Sequence, residues 1–155
     1  MDVRESAYFY LGFKPRTRAQ VVKYLNERGF EAEEIEKTVR ELEEYHYIDD
    51  LQFAVMFAEI SLEKGRGEKR IRRELAEKGV VSNVIDAAFF DLKAEERMPD
   101  PYEQALEIAR QTVMNIAPAR TWEDKQKIQG KVARKLLSRG FSDDVVYRVV
   151  KEVTK

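Results

Sequence analysis

The apolar residues of this chain follow one local pattern that occurs three times. A leucine is followed, at fixed spacing, by a basic residue, a glycine and an apolar residue in segments 25–30, 75–80 and 136–141. A glycine just beyond a helix accepts the left-handed backbone conformation, and the flanking apolar pair is the pair that touches in a Schellman motif. A basic residue there also suits the negative end of the helix dipole. Each segment therefore predicts the end of a helix.

Apolar residues also recur six, ten and thirteen positions after each of these glycines, which is the spacing of a second helix with an inward stripe. A third amphipathic stretch precedes each pair, at residues 3–11, 51–62 and 102–113. The pattern predicts three helices per repeat, and an irregular single helical bundle is the alternative interpretation. The middle helices are expected to bury Val21, Leu25, Ile71, Leu75, Val132 and Leu136.

The three repeats are unequally spaced, and prolines occupy the longer interval. Proline breaks a helix and favours an extended conformation in the residue before it. We therefore expect a linker at residues 93–101 and a loop inside the third repeat at residues 115–120. The predicted fold is all-α, with three tandem three-helix repeats that form an elongated, curved array. The predicted boundaries of the repeats are 1–48, 49–93 and 102–155.

The longest ordered motif occupies the middle of the chain. Residues 47–54 read Tyr-Ile-Asp-Asp-Leu-Gln-Phe-Ala, and residues 64–80 contain a Lys-Gly-Arg-Gly turn and, two residues later, Arg-Ile-Arg-Arg-Glu-Leu-Ala-Glu-Lys-Gly. This run resembles the central repeat of the RecX family, and residues 136–150 are similar to the C-terminal segment of that family. Arg66 stands where many members carry an aromatic residue. The resemblance covers nearly the whole chain and implies an all-helical regulator that binds the RecA filament.

Composition limits the classes of function. No cysteine occurs, which excludes disulfides, thiolate metal ligands and cysteine nucleophiles, and His46 is the one imidazole. The N-terminal residues lack the features of a secretion signal, and no stretch approaches the roughly 18 apolar residues that span a bilayer. We therefore expect a cytoplasmic protein with no membrane partner. Because 28 basic residues nearly balance 29 acidic ones, a charged partner must meet a local patch.

Several residues that could carry chemistry also have a structural interpretation. Asp49 or Asp50 is expected to cap the next helix, because a carboxylate there accepts hydrogen bonds from free N–H groups; a metal-binding or catalytic pair is the alternative. The segment 65–67, Gly-Arg-Gly, is interpreted as a tight turn between two helices, because it lacks the full P-loop pattern; an anion-binding nest before a helix is the alternative. His46 is interpreted as a packed or partly exposed residue, and Trp122 as a packing residue.

Positive charge is concentrated in the middle helix of each predicted repeat. Residues 14–28 contain five basic and one acidic residue, residues 64–79 seven and three, and residues 125–139 six and none. Residues 31–50 contain nine acidic and two basic residues. Because the apolar stripe turns inward, part of each basic set must face outward. A solubilising set of charges is the alternative to a partner-binding surface. The candidate partner-binding residues are Arg66, Lys69, Arg72, Arg73, Lys127, Lys131 and Arg134.

The resemblance to RecX implies a non-enzymatic regulator of homologous recombination and DNA repair, linked to the SOS response. It is expected to bind the RecA–DNA filament and to inhibit filament assembly, ATP hydrolysis and strand exchange. The alternative is a helix-turn-helix module that binds single- or double-stranded DNA directly. An enzyme is the weakest interpretation, because no recognisable nucleophile or nucleotide-binding motif is present. We expect a monomer with no cofactor and no metal ion.

Overall fold

The computed structural model describes all 155 residues and contains nine α-helices and no β-strand. This confirms the predicted all-α class. The chain leaves helical conformation between α6 and α7 and again between α7 and α8, as the prolines predict. None of the nine helices has both the length and the apolar character needed to cross a bilayer. The helices are α1 (Val3–Leu11), α2 (Arg18–Glu27), α3 (Ala32–Glu44), α4 (Asp50–Glu63), α5 (Glu68–Glu77), α6 (Ser82–Ala94), α7 (Pro101–Met114), α8 (Trp122–Arg139) and α9 (Asp143–Val153).

The helices form two compact units. The first unit comprises residues 1–57 and 74–92, and the second comprises residues 58–73 and 93–155. Helices α4 and α5 therefore each contribute residues to both units. Every unit includes one complete set of three consecutive helices, α1 to α3 in the first and α7 to α9 in the second.

Each unit has an apolar cluster formed by its three consecutive helices. In both clusters the apolar positions of the second and third helix are buried, as the helical periodicity predicts. All six residues expected in the core of the middle helices are at most 1% exposed. In the first unit the buried members are Ala7, Val21, Leu25, Ile35, Val39, Leu42 and Ile48. In the second unit they are Ala105, Leu106, Ala109, Val132, Leu136, Phe141, Val146 and Val149.

The three repeated glycines end their helices as the sequence predicts. Gly29, Gly79 and Gly140 have φ angles of 87°, 89° and 100°. After each glycine, the next N–H donates to the carbonyl of the leucine that opens the motif, at 3.4, 3.1 and 3.2 Å. Each glycine N–H also donates to the carbonyl three residues earlier, at 3.0 Å. These paired hydrogen bonds define the Schellman motif and satisfy carbonyls that the end of a helix leaves free.

Two helix starts contact the C-terminal turn of another helix in the same unit. In the first unit, the Thr17 hydroxyl donates to the Lys78 carbonyl at 2.7 Å, just before α2. In the second unit, the Gly67 N–H donates to the Arg139 carbonyl at 2.7 Å, just before α5. Thr17 and Gly67 each lie twelve residues before the motif glycine that follows them. A hydrogen bond to the carbonyl just before a motif glycine therefore recurs at equivalent positions of the chain, with a side-chain hydroxyl as donor at Thr17 and a backbone N–H as donor at Gly67.

Truncation of Leu75 to alanine is expected to lower the free energy of unfolding by ~2 to 5 kcal/mol, because the removed atoms leave a cavity in a packed core. The Leu75 side chain is 0% exposed. The matched control is Leu137→Ala, because Leu137 is 47% exposed and loses little burial. Urea denaturation followed by circular dichroism measures both changes. Equal effects for the two variants would contradict the assignment of Leu75 to the core.

Candidate functional site

The segment between α4 and α5 forms a tight turn, as the sequence predicts. Gly65 has a φ of 79°, and the Arg66 N–H donates to the Ser61 carbonyl at 3.1 Å, so this turn is a further Schellman motif. Gly67 uses its N–H in the bond to the Arg139 carbonyl. Because this donor is already used within the protein, it is not available to hold an anion. The Arg66 side chain is half-buried at the turn.

Helix α5 buries one face and presents cations on another. Ile71 and Leu75 are fully buried, whereas Lys69 and Arg73 are exposed. Arg72 differs from the prediction, because its side chain is only partly exposed and lies in an ion pair within the protein. Fewer cations of α5 are therefore fully exposed than the sequence predicts.

The partner of Arg72 in this ion pair is Glu68, on the same helix. The Arg72 Nε lies 2.8 Å from a Glu68 carboxylate oxygen, one helical turn away. The Lys93 Nζ lies 3.1 Å from the other oxygen. Partial burial alone raises the pKa of Glu68, but hydrogen bonds from Arg72 and Lys93 outweigh it and hold the pKa below its usual value. A signal for the first contact was present in the sequence, since a glutamate four residues before an arginine is a standard helical pair.

Helix α8 carries the broadest exposed basic face. Val132 and Leu136 are buried, and Lys127, Lys131 and Arg134 are exposed at the helical spacing that puts them on one side. The structure gives none of these three cations an intramolecular ion pair. A row of cations held at fixed spacing on a rigid helix can contact successive carboxylates or phosphates.

Two further features of α8 were not singled out from the sequence. Lys135 is exposed next to Arg134 and extends the same basic face. The guanidinium of Arg134 lies close to Gly130, where an added Cβ would be 3.0 Å from its Nη1. The glycine in the middle of this helix therefore gives the Arg134 side chain room to lie along the helix surface.

The carboxylates at the start of α4 act as helix caps. Asp49 accepts a hydrogen bond from the Gln52 N–H at 3.0 Å, which confirms the predicted cap. Asp50 accepts from the Arg18 N–H at 2.9 Å and so caps the start of α2 instead. Burial raises the pKa of Asp50, and the hydrogen bond from Arg18 opposes that rise. No group of three or more candidate ligands is arranged to hold a metal ion.

His46 and Trp122 both lie at the ends of helices. His46 is exposed and has a φ of 63°, and the next N–H donates to the Leu42 carbonyl at 2.8 Å. It therefore closes α3 in the same way as the glycines close their helices. The interpretation of Trp122 as a packing residue is wrong, because its side chain is 68% exposed. It is the first residue of α8, whereas that helix joins the core only from Ile128 onward.

Two RecX family models match most of the chain from α1 to α6. Residues 4–42 match the model of the first three-helix domain of RecX, and residues 49–88 match the model of its second three-helix domain. The chain is 35% identical over 149 residues to the regulatory protein RecX of Clostridium botulinum strain Alaska E43, covering 96% of this chain and 67% of that relative. It is 29% identical over 145 residues to RecX of Lactobacillus delbrueckii subsp. bulgaricus, covering 93% of this chain and 51% of that relative.

Two crystal structures share the fold. The structure of RecX from Lactobacillus salivarius aligns with a TM-score of 0.78 at 21% identity, covering 97% of this chain and 93% of that one. A second structure, of a regulatory protein RecX, aligns with a TM-score of 0.75 at 25% identity, covering 97% of this chain and 74% of that one. The arrangement of helices is therefore similar over nearly the whole chain.

Proposed function

The chain belongs to the RecX family, and from that premise we propose that it is a non-enzymatic regulator of homologous recombination that binds the RecA–DNA filament. In this proposal it acts in the cytoplasm as a monomer and inhibits filament assembly, ATP hydrolysis and strand exchange. The observation that carries the proposal is the family match over two consecutive three-helix domains.

The division into three repeats, at 1–48, 49–93 and 102–155, forms part of the proposal. A RecA filament presents identical subunits at regular intervals, so successive repeats of one chain could contact successive subunits. Each later contact would then be intramolecular and would gain from a high effective concentration. The recurrence of one helix-start contact before α2 and before α5 supports such a repeating unit.

We assign the binding surface to the outward cations of α5 and α8. Lys127, Lys131 and Arg134 support this assignment best, because they are exposed and make no ion pair within the protein. Lys69 and Arg73 are exposed on α5. Arg72 and Arg66 contribute less in this proposal, since Arg72 is engaged with Glu68 and Arg66 is half-buried in the turn.

Direct DNA binding is the second candidate function. The observation that favours it is the basic face of α8, where an 18-residue helix exposes several lysines on one side. Such a face can neutralise phosphates without reading bases. In this alternative the chain would bind single- or double-stranded DNA in the absence of RecA.

RecA assays with the purified chain test the proposal. We expect the protein to lower the rate of DNA-dependent ATP hydrolysis by RecA and to slow strand exchange at concentrations below that of RecA. Binding to naked DNA is measured in parallel by fluorescence anisotropy. Equal affinity for naked duplex and for the filament, with no change in RecA activity, would favour the DNA-binding alternative.

A further inference from the structure

An open apolar groove lies at one end of the second unit. It is formed by the end of α7, the loop that follows, the start of α8 and the end of α9, and its volume is ≈ 730 Å³. That volume is within the range of sites that bind ligands or peptide side chains. The apolar residues that line it include Val113, Met114, Ile116, Trp122 and Ile128.

Two large apolar side chains of this groove are exposed to solvent. Met114 is 82% exposed and Trp122 is 68% exposed. Single exposed apolar residues are common on protein surfaces, but two large ones in the same concavity form a contiguous apolar patch. Tryptophan and methionine are also enriched among residues that dominate protein interfaces.

The charged residues that line the groove are all basic. They are Arg120, Lys125 and Lys155, and no carboxylate side chain lines the groove. Lys155 is paired with Glu152, with 2.8 Å between its Nζ and a carboxylate oxygen. Arg120 and Lys125 are therefore the cations of the lining that make no ion pair, and the nearby Asp124 carboxylate is occupied by the Arg120 backbone N–H at 3.2 Å.

The polar side chains in the groove are already used by the protein. The Thr121 hydroxyl accepts from the Asp124 N–H at 3.1 Å, and the Thr154 hydroxyl donates to the Val150 carbonyl at 2.7 Å. Few polar groups are thus left to orient a small polar metabolite. Apolar contact inside the groove and positive charge at its rim suit a peptide with an apolar centre and acidic flanks.

We propose that this groove binds a segment of a partner protein in which an aromatic or aliphatic side chain is flanked by acidic residues. The side chain packs between Trp122 and Met114, and the acidic flanks lie near Arg120 and Lys125. A symmetric pairing of two copies through this face is disfavoured, because it would bring the same cations together. The proposal goes beyond the proposed RecA regulation and does not require it.

Trp122 makes the groove directly observable, because it is the one tryptophan of the chain. The probe is a short synthetic peptide with a central Leu-Phe pair and acidic residues on both sides. Its binding should shift the tryptophan emission to shorter wavelength in a saturable manner as Trp122 leaves water. A peptide with lysine flanks, and one with a Ser-Ser centre, should each bind at least ~10-fold more weakly.

Charge reversal at the rim provides the matched test. Arg120→Glu combined with Lys125→Glu should weaken binding of the acidic peptide by about tenfold or more. The control is Lys14→Glu combined with Lys37→Glu, because both lysines are exposed and neither lines the groove. It should leave the affinity within about twofold. Circular dichroism establishes that all variants keep their helix content.

Several results of the tryptophan-emission titration would contradict the proposal. No shift at peptide concentrations up to ~1 mM would do so, as would equal binding of the lysine-flanked peptide. A shift that depends on protein concentration alone would assign the groove to a second copy of the chain. A shift caused by anionic lipid vesicles, with none caused by the acidic peptide, would assign it to a membrane surface.

Discussion

Replacement of Lys127, Lys131 and Arg134 by glutamate is expected to weaken binding to the RecA–DNA filament by about 10- to 100-fold, if each of the three cations contributes up to about 1 kcal/mol. These side chains lie on the exposed face of α8 and make no ion pair within the protein, so their charge is available to a partner. The residual binding should also depend less steeply on salt, because fewer opposite charges are paired and fewer counterions released. Inhibition of RecA ATP hydrolysis and anisotropy at several salt concentrations measure both effects.

A control with the same change of charge separates surface location from net charge. Lys37→Glu, Arg110→Glu and Lys151→Glu reverse three exposed cations on α3, α7 and α9, outside the proposed surface. This variant should inhibit RecA almost as well as the original protein. If the α8 variant keeps its helix content and still inhibits RecA fully, α8 is not the contact surface. The family assignment would remain, and another face of the protein would have to bind the filament.

Helix α5 is a less direct target for the same experiment. Substitution of Arg72 by glutamate would place two carboxylates one helical turn apart, at positions 68 and 72, and would break an existing ion pair. A loss of binding could then reflect local destabilisation. Charge reversal on α5 is better limited to Lys69, which is exposed.

The helix ends could be predicted from the sequence because their determinants are local. The Leu25 carbonyl and the Phe30 N–H that close α2 lie five residues apart, and the glycine between them is visible in the sequence. The core stripe of α3 follows from helical periodicity for the same reason. His46 was missed as a helix-ending residue, because a positive φ is uncommon for any residue other than glycine, and a histidine in the sequence is too weak a signal for it.

Features that depend on distant residues could not be predicted. The contact of Lys93 with Glu68 joins two different helices, so no spacing along the chain indicates it. The exposure of Trp122 depends on how far along α8 the core begins, which periodicity alone does not fix. The sequence therefore predicted which cations could form the basic surface. Their differences in exposure and ion pairing are visible only in the structure.

The three motif glycines look equivalent in sequence but are expected to respond differently to replacement by alanine. Gly29→Ala should cost about 1 to 2 kcal/mol from the left-handed backbone alone, because an added Cβ meets nothing within 4 Å. At Gly79 the Cβ would lie 2.2 Å from the Cβ of Ala19, and at Gly140 it would lie 2.6 Å from the Arg70 backbone nitrogen. Each of these two variants should lose a further ~1 to 3 kcal/mol from overpacking.

Gly12→Ala is the control for this series, because Gly12 has a right-handed φ of −66° and an added Cβ would make only contacts of 3.4 Å. It should be neutral or should stabilise the protein by up to about 1 kcal/mol, since alanine restricts the unfolded chain. Urea denaturation of the four variants gives their order of stability directly. Equal losses at Gly29, Gly79 and Gly140 would mean that backbone strain alone sets the cost. A larger loss at Gly79 and Gly140 is expected, because those two helix ends are contacted by other helices and Gly29 is open to solvent.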